Sequence, residues 1–158
     1  MSCMALLLLA SFLLPASVAA AGEATEAEPA SRYDAALAKS LGADERGMRS
    51  YVLVVLKTGP TRVPDGDRRK QMFEGHFANM QRLADEGKLV FAGPLDGVDG
   101  WRGIFVFATE DIATAKSLVA TDPVIENGEM VAEYHVLYGS AALMQVNDIH
   151  ERISRESP

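Results

Sequence analysis

A histidine at the edge of a predicted helix is the first residue in this chain that is suited to chemistry. His76 lies in the stretch "FEGHFANMQRLADEG", in which apolar residues recur at the spacing of one helix face: Phe73, Phe77, Met80 and Ala84. A histidine beside such a stripe is either a packed residue with one ring nitrogen bonded to a backbone carbonyl, or a general acid and base. The second role requires a partner that fixes the tautomer of the ring.

Asp122 is the best candidate for that partner. It directly precedes Pro123 in "ATDPV", after a predicted helix. One interpretation is purely structural, because an aspartate N-cap followed by proline is a common helix start. The other interpretation is that the carboxylate reaches His76, since two helices on the same face of a sheet can bring such residues together. The spacing alone leaves both open.

Two basic residues in predicted strands are candidates for substrate binding. Arg102 lies in the apolar stretch "GWRGIFVF", and Lys57 closes "SYVLVVLKTG". A cation in an apolar strand must be paired or must reach an edge. Each is therefore either a member of an ion pair, within the sheet or between protomers, or an anchor for a substrate anion.

A metal or cofactor is not expected from the remaining residues. His135 lies in a predicted strand and His150 in the polar tail, and the histidines show no H-x-H, H-x-x-x-H or H-E-x-x-H spacing. The single cysteine, Cys3, lies in the N-terminal stretch that we expect to be removed as a secretion signal, so the mature chain would contain no thiol for a site. The chain also contains no G-x-S-x-G, P-loop or G-x-G-x-x-G motif.

The first 21 residues have the composition of a secretion signal. They carry no charged side chain, and an apolar run over 4–14 is followed by Ala19, Ala20 and Ala21, a small-x-small cleavage site before Gly22. The run is too short to span a membrane comfortably. We expect a cleaved signal and a protein that is exported, periplasmic or secreted.

The acidic balance of the chain excludes several partners. Its formal net charge is -7, and its densest basic spot, Arg68 to Lys70, is interpreted as a solvated helix start. Nucleic acids and anionic membranes attract clustered lysine and arginine. We therefore expect neither as a partner once the signal is removed.

The apolar patterns predict the order strand, helix, strand, strand, helix, strand. This is the order of a ferredoxin-like βαββαβ sandwich, an α+β fold with a four-stranded antiparallel sheet and both helices on one face. We expect a signal peptide over 1–21, a linker and short helix over 22–49, the domain over 50–140 and a tail over 141–158. The expected elements are a helix over 33–41, strands over 50–59, 88–93, 101–108 and 129–139, a helix over 68–86 that Asp67 caps, and a helix that Thr109 caps.

The strands are apolar on both faces, which predicts a partner. In an isolated sandwich one sheet face meets water, and five residues would form a large exposed patch there: Val52, Val54, Leu56, Ile104 and Val106. A second sheet would cover that patch. The pattern therefore predicts a homodimer in which two protomers pack sheet to sheet as a dimeric α/β barrel.

Four stretches resemble the YCII-related family of the dimeric α/β barrel superfamily. They cover about residues 51–140 and read "YVLVVLKTGP", "GHFANMQRLADEGKLVFAGPL", "GWRGIFVF" and "ATDPVIENGEMVAEYHVLYGS". The flanking stretches "YDAALAKSLGADERGM" and "YGSAALM" resemble a longer, exported branch of that family. The resemblance implies a dimeric barrel of ferredoxin-like protomers.

The same resemblance implies a site and a class of reaction. The His and Asp that are proposed as the family's active-site pair match His76 and Asp122. One member acts as a dehydrochlorinase on a chlorinated hydroxyhydroquinone, so the implied chemistry is elimination or isomerisation of a small organic molecule without a cofactor.

Three functional hypotheses remain open. In the first, His76 shuttles a proton, Asp122 holds the imidazole, and Arg102 binds a substrate anion. In the second, the protein is a non-catalytic module that binds or senses a small ligand. In the third, the pair is only a hydrogen bond between helices.

Overall fold

A computed structural model describes residues 32–156 of the chain. The expected signal peptide and the first part of the linker, to residue 31, lie outside the described residues. All the elements described here belong to one compact unit that begins at Asp34. They are α1 (Ala35–Ser40), β1 (Met48–Thr58), α2 (Asp67–Asp85), β2 (Leu89–Pro94), β3 (Trp101–Phe107), α3 (Ile112–Val119), α4 (Pro123–Glu126), β4 (Met130–Ser140) and α5 (Val146–Ile153), with 3-10 turns at Val98–Gly100 and Ala141–Gln145.

The four strands form one antiparallel sheet in the order β2-β3-β1-β4. Helices α2 and α3 pack on the same face of this sheet, because Met72 and Leu83 of α2 and Ala115 and Val119 of α3 share one core with the strands. The predicted ferredoxin-like α+β fold is thus confirmed.

Register decides which apolar residues share a face, and it corrects the predicted patch. Val52 and Val54 face the helices and belong to the main core. Ile104 and Val106 lie opposite Val55 and Leu53 on β1 and therefore point to the other face. The five residues of the patch are split between the two faces, because a continuously apolar strand hides the alternation of its side chains.

The C-terminal segment covers one end of the face that α2 and α3 leave open. Leu143 and Met144 pack against a second cluster of buried residues, Tyr51, Val90 and Val106. Asn147 of α5 donates a hydrogen bond of 2.8 Å to the carbonyl of Leu89. The segment after β4 is therefore packed structure and not a loose tail.

Two predicted helix caps are wrong. Asp111, not Thr109, caps α3, since its carboxylate accepts from the backbone N–H groups of Ala113 and Thr114. Asp67 lies in the first turn of α2, and Gly66 precedes it without a side-chain cap.

Within residues 32–156, no helix has both the length and the apolar character needed to cross a membrane.

Candidate functional site

His76 projects from the middle of α2 towards the sheet and is 7% exposed. Its ring is stacked on Phe105 of β3, with centroids 6.1 Å apart and an interplanar angle of 30°. Phe73 meets the ring edge-on at 6.2 Å, and Phe77 lies tilted at 5.4 Å. Three aromatic rings therefore fix the plane of the imidazole.

Asp122 lies opposite His76 and is fully buried. Nδ1 of His76 is 2.7 Å from Oδ2 and 2.9 Å from Oδ1 of the carboxylate. Oδ1 also accepts a hydrogen bond of 3.1 Å from the backbone N–H of Val124, so Asp122 is the N-cap of α4, with Pro123 in its first turn. The two interpretations of Asp122 hold together, since one carboxylate both caps a helix and binds the histidine.

The geometry assigns the two ring nitrogens different roles. An ionised carboxylate only accepts hydrogen bonds, so Nδ1 of His76 donates and a neutral ring carries its lone pair on Nε2. Among the described residues, Arg49 Nε is the only buried side-chain nitrogen or oxygen without a hydrogen-bond partner. Nε2 of His76 has no partner among those residues either, so it is not buried and keeps contact with solvent. The free atom is thus the one that can exchange a proton.

The interface between α2 and residues 121–129, called the seam below, has contacts on both sides of this pair. A Cβ atom at Gly75 would stand 3.0 Å from Cγ of Pro123, so any larger residue there would crowd the proline ring. On the other side, the hydroxyl of Thr121 donates to Oδ1 of Asn79 at 3.0 Å. These contacts hold Asp122 at hydrogen-bond distance from His76.

A second buried carboxylate lies nearby, and sequence reasoning missed it. Glu129, 3% exposed, binds the guanidinium of Arg69 at 2.8 Å and accepts from the backbone N–H of Val63 at 2.7 Å. The hydrogen bond from Arg69 holds the pKa of Glu129 below its usual range, against the opposing effect of burial. The interpretation of Arg68 to Lys70 as a solvated helix start is thus wrong for Arg69, whose side chain is 16% exposed.

The two basic strand residues are not brought to the pair. Lys57 lies on the face of the sheet away from α2 and binds Glu133 at 3.1 Å, which favours its interpretation as a member of an ion pair. On the paired strands, Leu56 lies opposite Gly103 and Lys57 lies opposite Trp101. Arg102 has no partner between them and is therefore the extra residue of a β-bulge. Its half-buried side chain makes no ion pair with any described residue, which leaves it available for an anion.

Neither member of the pair lines either of two clefts in the structure, of about 510 and 360 Å³. A cleft of about 510 Å³ lies beside the start of β1 and includes Asp44, Arg49, Thr109 and Tyr138. Asp44 is already engaged there by the Tyr138 hydroxyl and by two backbone N–H groups. Within residues 32–156, no three His, Cys, Asp or Glu side chains converge as metal ligands would.

The sequence profile of the YCII-related domain matches residues 48–148 of the chain. The chain belongs to the YCII-related family. This confirms the resemblance seen in the sequence, and the matched region contains both His76 and Asp122 as well as Arg69 and Glu129.

No curated protein matches this YCII-related chain. Among solved structures, one similar chain is the 5-chloro-2-hydroxyhydroquinone dehydrochlorinase of Burkholderia phenoliruptrix AC1100, in complex with 2,5-dihydroxybenzoquinone. It is 20% identical, with a TM-score of 0.40, and the match covers 55% of this chain and 90% of that chain.

Proposed function

We propose that this protein is a cofactor-independent enzyme that moves a proton on a small organic molecule with His76 as its acid and base. One observation carries the proposal: Asp122 binds Nδ1 of His76 at 2.7 Å, while Nε2 has no protein partner among the described residues. A histidine oriented by a carboxylate on one nitrogen and open on the other is a standard arrangement for general acid–base chemistry.

The chemistry follows from this geometry. Nε2 of His76 takes a proton from a carbon or oxygen of the substrate, and Asp122 stabilises the imidazolium that forms. In an isomerisation, the imidazolium returns the proton to another atom of the same molecule. In an elimination, the electron pair of the broken bond forms a double bond while a leaving group such as chloride departs as an anion. Both reactions balance without a redox partner.

The aromatic surroundings favour a planar substrate. Phe105 and Phe73 are packed in or against the core, but Phe77 is 52% exposed beside the His76 ring. An exposed aromatic ring beside the His76 ring is a surface on which an unsaturated ring can stack. Arg102 remains the candidate for binding an anionic group.

A non-catalytic role in ligand binding or sensing is the second candidate function. His76 is only 7% exposed, so its site is largely enclosed. Such a site can bind a small ligand without turning it over. The two functions differ in one respect, which is whether bound molecules exchange protons.

A ligand screen followed by a proton-exchange measurement tests the proposal. Small planar acids, enols and quinones are screened by thermal shift, and each compound that stabilises the protein is then incubated in D₂O and followed by NMR. The wild type is compared with Asp122→Asn, which keeps an N-cap acceptor but loses the charge, and with His76→Gln. His135→Gln, on β4 and paired with Glu133, is the matched control.

The enzyme hypothesis predicts deuterium incorporation or product with the wild type and with the His135 variant. It predicts a loss of about 10²-fold or more in the two variants of the pair, the usual contribution of a positioned general base. Binding without exchange in the wild type would instead support the sensing role. Equal exchange by wild type and His76→Gln would overturn the enzyme hypothesis.

We also propose a homodimer through the open face of the sheet. Val131 lies on this face, opposite Lys57, and is 44% exposed. The face also carries Lys57 and Glu133, so it has charges of both signs, as a self-complementary surface requires. Val131→Glu should shift the protein from dimer to monomer in sedimentation velocity.

Val136→Glu is the control for this substitution. Val136 is on the same strand and is 62% exposed, but it lies opposite Val52 and hence on the other face. A monomeric wild type at tens of micromolar, or equal dissociation by both variants, would refute the dimer.

Export is part of the proposal as well. Cleavage after Ala21 predicts a mature chain that begins at Gly22. The mass of the protein recovered from the periplasm or medium of the expressing cells tests this, and recovery of the intact chain from the cytoplasm would contradict it.

A further inference from the structure

The segment that follows α3 runs antiparallel to α2 and is joined to it along most of its length. Along α2 towards its N-terminus, Asn79 meets Thr121, His76 meets Asp122 and Gly75 meets Pro123, and near its start Arg69 and Arg68 meet Glu129 and Asn127. From Arg68 to Asn79 the helix rises about 16 Å, so the contacts extend well beyond the pair on both sides.

The seam contains a second charged pair besides His76–Asp122, the largely buried pair Arg69–Glu129. One guanidinium nitrogen of Arg69 lies 2.8 Å from Oε1 of Glu129, and the other donates to the carbonyl of Val63 at 2.9 Å. Oε2 of Glu129 accepts from the N–H of Val63 at 2.7 Å. Both charged groups and the loop before α2 are thus tied together in a ring of hydrogen bonds that solvent barely reaches.

A chain of side-chain contacts leads from this ion pair to the histidine. The guanidinium of Arg69 lies 5.0 Å from the centre of the Phe73 ring, in a cation–π contact. The Phe73 ring in turn meets the His76 ring edge-on, at an interplanar angle of 88°. Arg69, Phe73 and His76 lie on one side of α2 at the spacing of helical turns.

We propose that Arg69 and Glu129 are positioning residues for the His76–Asp122 pair. They pin the N-terminal half of α2 to the chain that follows Asp122, and they hold Phe73 against the edge of the imidazole. The inference rests on the proposed function only in taking the His76–Asp122 pair as the site. The geometry of the imidazole can be measured without a substrate, so the positioning role can be tested separately.

The tautomer of His76 is the property that separates positioning from general stability. In the wild type, the bond to Asp122 keeps a proton on Nδ1, so the Nδ1–H form is the only tautomer open to a neutral ring. If α2 shifts by even about 1 Å, the bond of 2.7 Å is lost and both tautomers are populated. The nitrogen shifts of ¹⁵N-labelled histidine distinguish the two forms at a fixed neutral pH.

Three variants make the test. Glu129→Gln removes the charge that binds Arg69, and Arg69→Lys keeps both charges but loses the two-pronged contact. Glu74→Gln is the control, since Glu74 is also on α2 and also faces a cation, Lys70, but its side chain is 63% exposed. We expect Glu129→Gln to lose the single Nδ1–H form, Arg69→Lys to show a smaller change, and Glu74→Gln to match the wild type.

Folding is checked on each variant by circular dichroism. If Glu129→Gln and Arg69→Lys both fail to fold, the apolar pair Arg69→Met with Glu129→Leu replaces them, because such replacements of buried ion pairs often preserve stability. The inference is overturned if a folded variant of Arg69 or Glu129, whether a single substitution or the apolar pair, keeps the single Nδ1–H form of His76.

Activity gives a second, separate result. If the enzyme hypothesis holds, a folded Glu129→Gln protein should lose about 10²-fold in the proton-exchange rate, the effect of a small misplacement of a catalytic group. If no compound is turned over by the wild type, the proposed function fails while the tautomer measurement still decides the role of the ion pair.

Discussion

Gly75 and Pro123 are in direct contact across the seam between α2 and α4, and each is the chain neighbour of one member of the His76–Asp122 pair. A Cβ atom on Gly75 would stand 3.0 Å from Cγ of Pro123, closer than side chains normally approach. The missing side chain therefore lets the two backbones come near enough for a hydrogen bond of 2.7 Å between imidazole and carboxylate.

Gly75→Val should separate the helices. The added methyl groups have no space at Pro123, so we expect the free energy of unfolding in urea to fall by about 1–3 kcal/mol, as for other overpacked sites. The ring of His76 should also lose its single tautomer. Ala78→Val, at an exposed position of the same helix, shows the cost of valine where no contact with Pro123 exists. Because valine has a higher helix propensity than glycine, a Gly75→Val protein as stable as the wild type would show that the contact with Pro123 is unimportant.

The sequence predicts the elements of this fold well because their patterns are local. The order of strands and helices follows from apolar runs and turn residues, and the N-cap role of Asp122 follows from the proline after it. The contact between Asp122 and His76 does not follow from periodicity. It depends on how closely α2 and α4 approach each other, which is a tertiary property. The resemblance to the YCII-related family is what predicts this contact.

The errors have physical causes as well. Val52 and Ile104 were assigned to one patch because continuously apolar strands hide the alternation between faces. The sequence predicts a solvated Arg69 because its partner, Glu129, lies far along the chain and no local pattern predicts their ion pair. Thr109 was assigned as a cap because it precedes acidic residues, but Asp111 is closer to the first turn of α3 and its carboxylate reaches two N–H groups.

Acid should destabilise the protein partly through Glu129. The hydrogen bond from Arg69 lowers the pKa of Glu129 in the folded state below its usual value of 4.5, so the unfolded chain binds the proton more readily. The stabilisation is complete above pH 4.5 and is lost as the pH falls through the lowered folded-state pKa. Urea unfolding across this acidic range should therefore show a steeper loss of stability for the wild type than for Glu129→Gln.

Glu74→Gln serves again as the control for that titration, because its exposed carboxylate pairs with Lys70 only at 3.8 Å. At neutral pH, Glu129→Gln should itself be less stable by about 1–3 kcal/mol, since the guanidinium of Arg69 loses a buried charged hydrogen bond and keeps only the exposed carboxylate of Asp65, at 3.5 Å, as a counter-charge. Parallel stability curves for wild type and Glu129→Gln below pH 4.5 would contradict the role assigned to this carboxylate.

The corrected cap of α3 gives a simple stability prediction. Asp111→Ala removes the acceptor of two backbone N–H groups, at 3.1 and 2.8 Å, and should lower the free energy of unfolding by about 1 kcal/mol. Thr109→Ala should have a smaller effect, because the Thr109 hydroxyl accepts only from the N–H of Asp111, outside the helix. The opposite ranking in chemical denaturation would restore Thr109 as the cap.

Phe77 should bind the ligand without supporting the fold. Its ring lies 5.4 Å from that of His76 and is 52% exposed, so Phe77→Ala should change stability little. Loss of a stacking partner is expected to weaken binding of a planar compound from the thermal-shift screen by about 2–10-fold, corresponding to about 0.5–1.5 kcal/mol. Isothermal titration gives the affinity, and Phe91→Ala, an aromatic residue of similar exposure on β2, should bind like the wild type. If Phe77→Ala binds the compound as tightly as the wild type, the ligand does not lie on the exposed ring of Phe77, and access to His76 must come from another side.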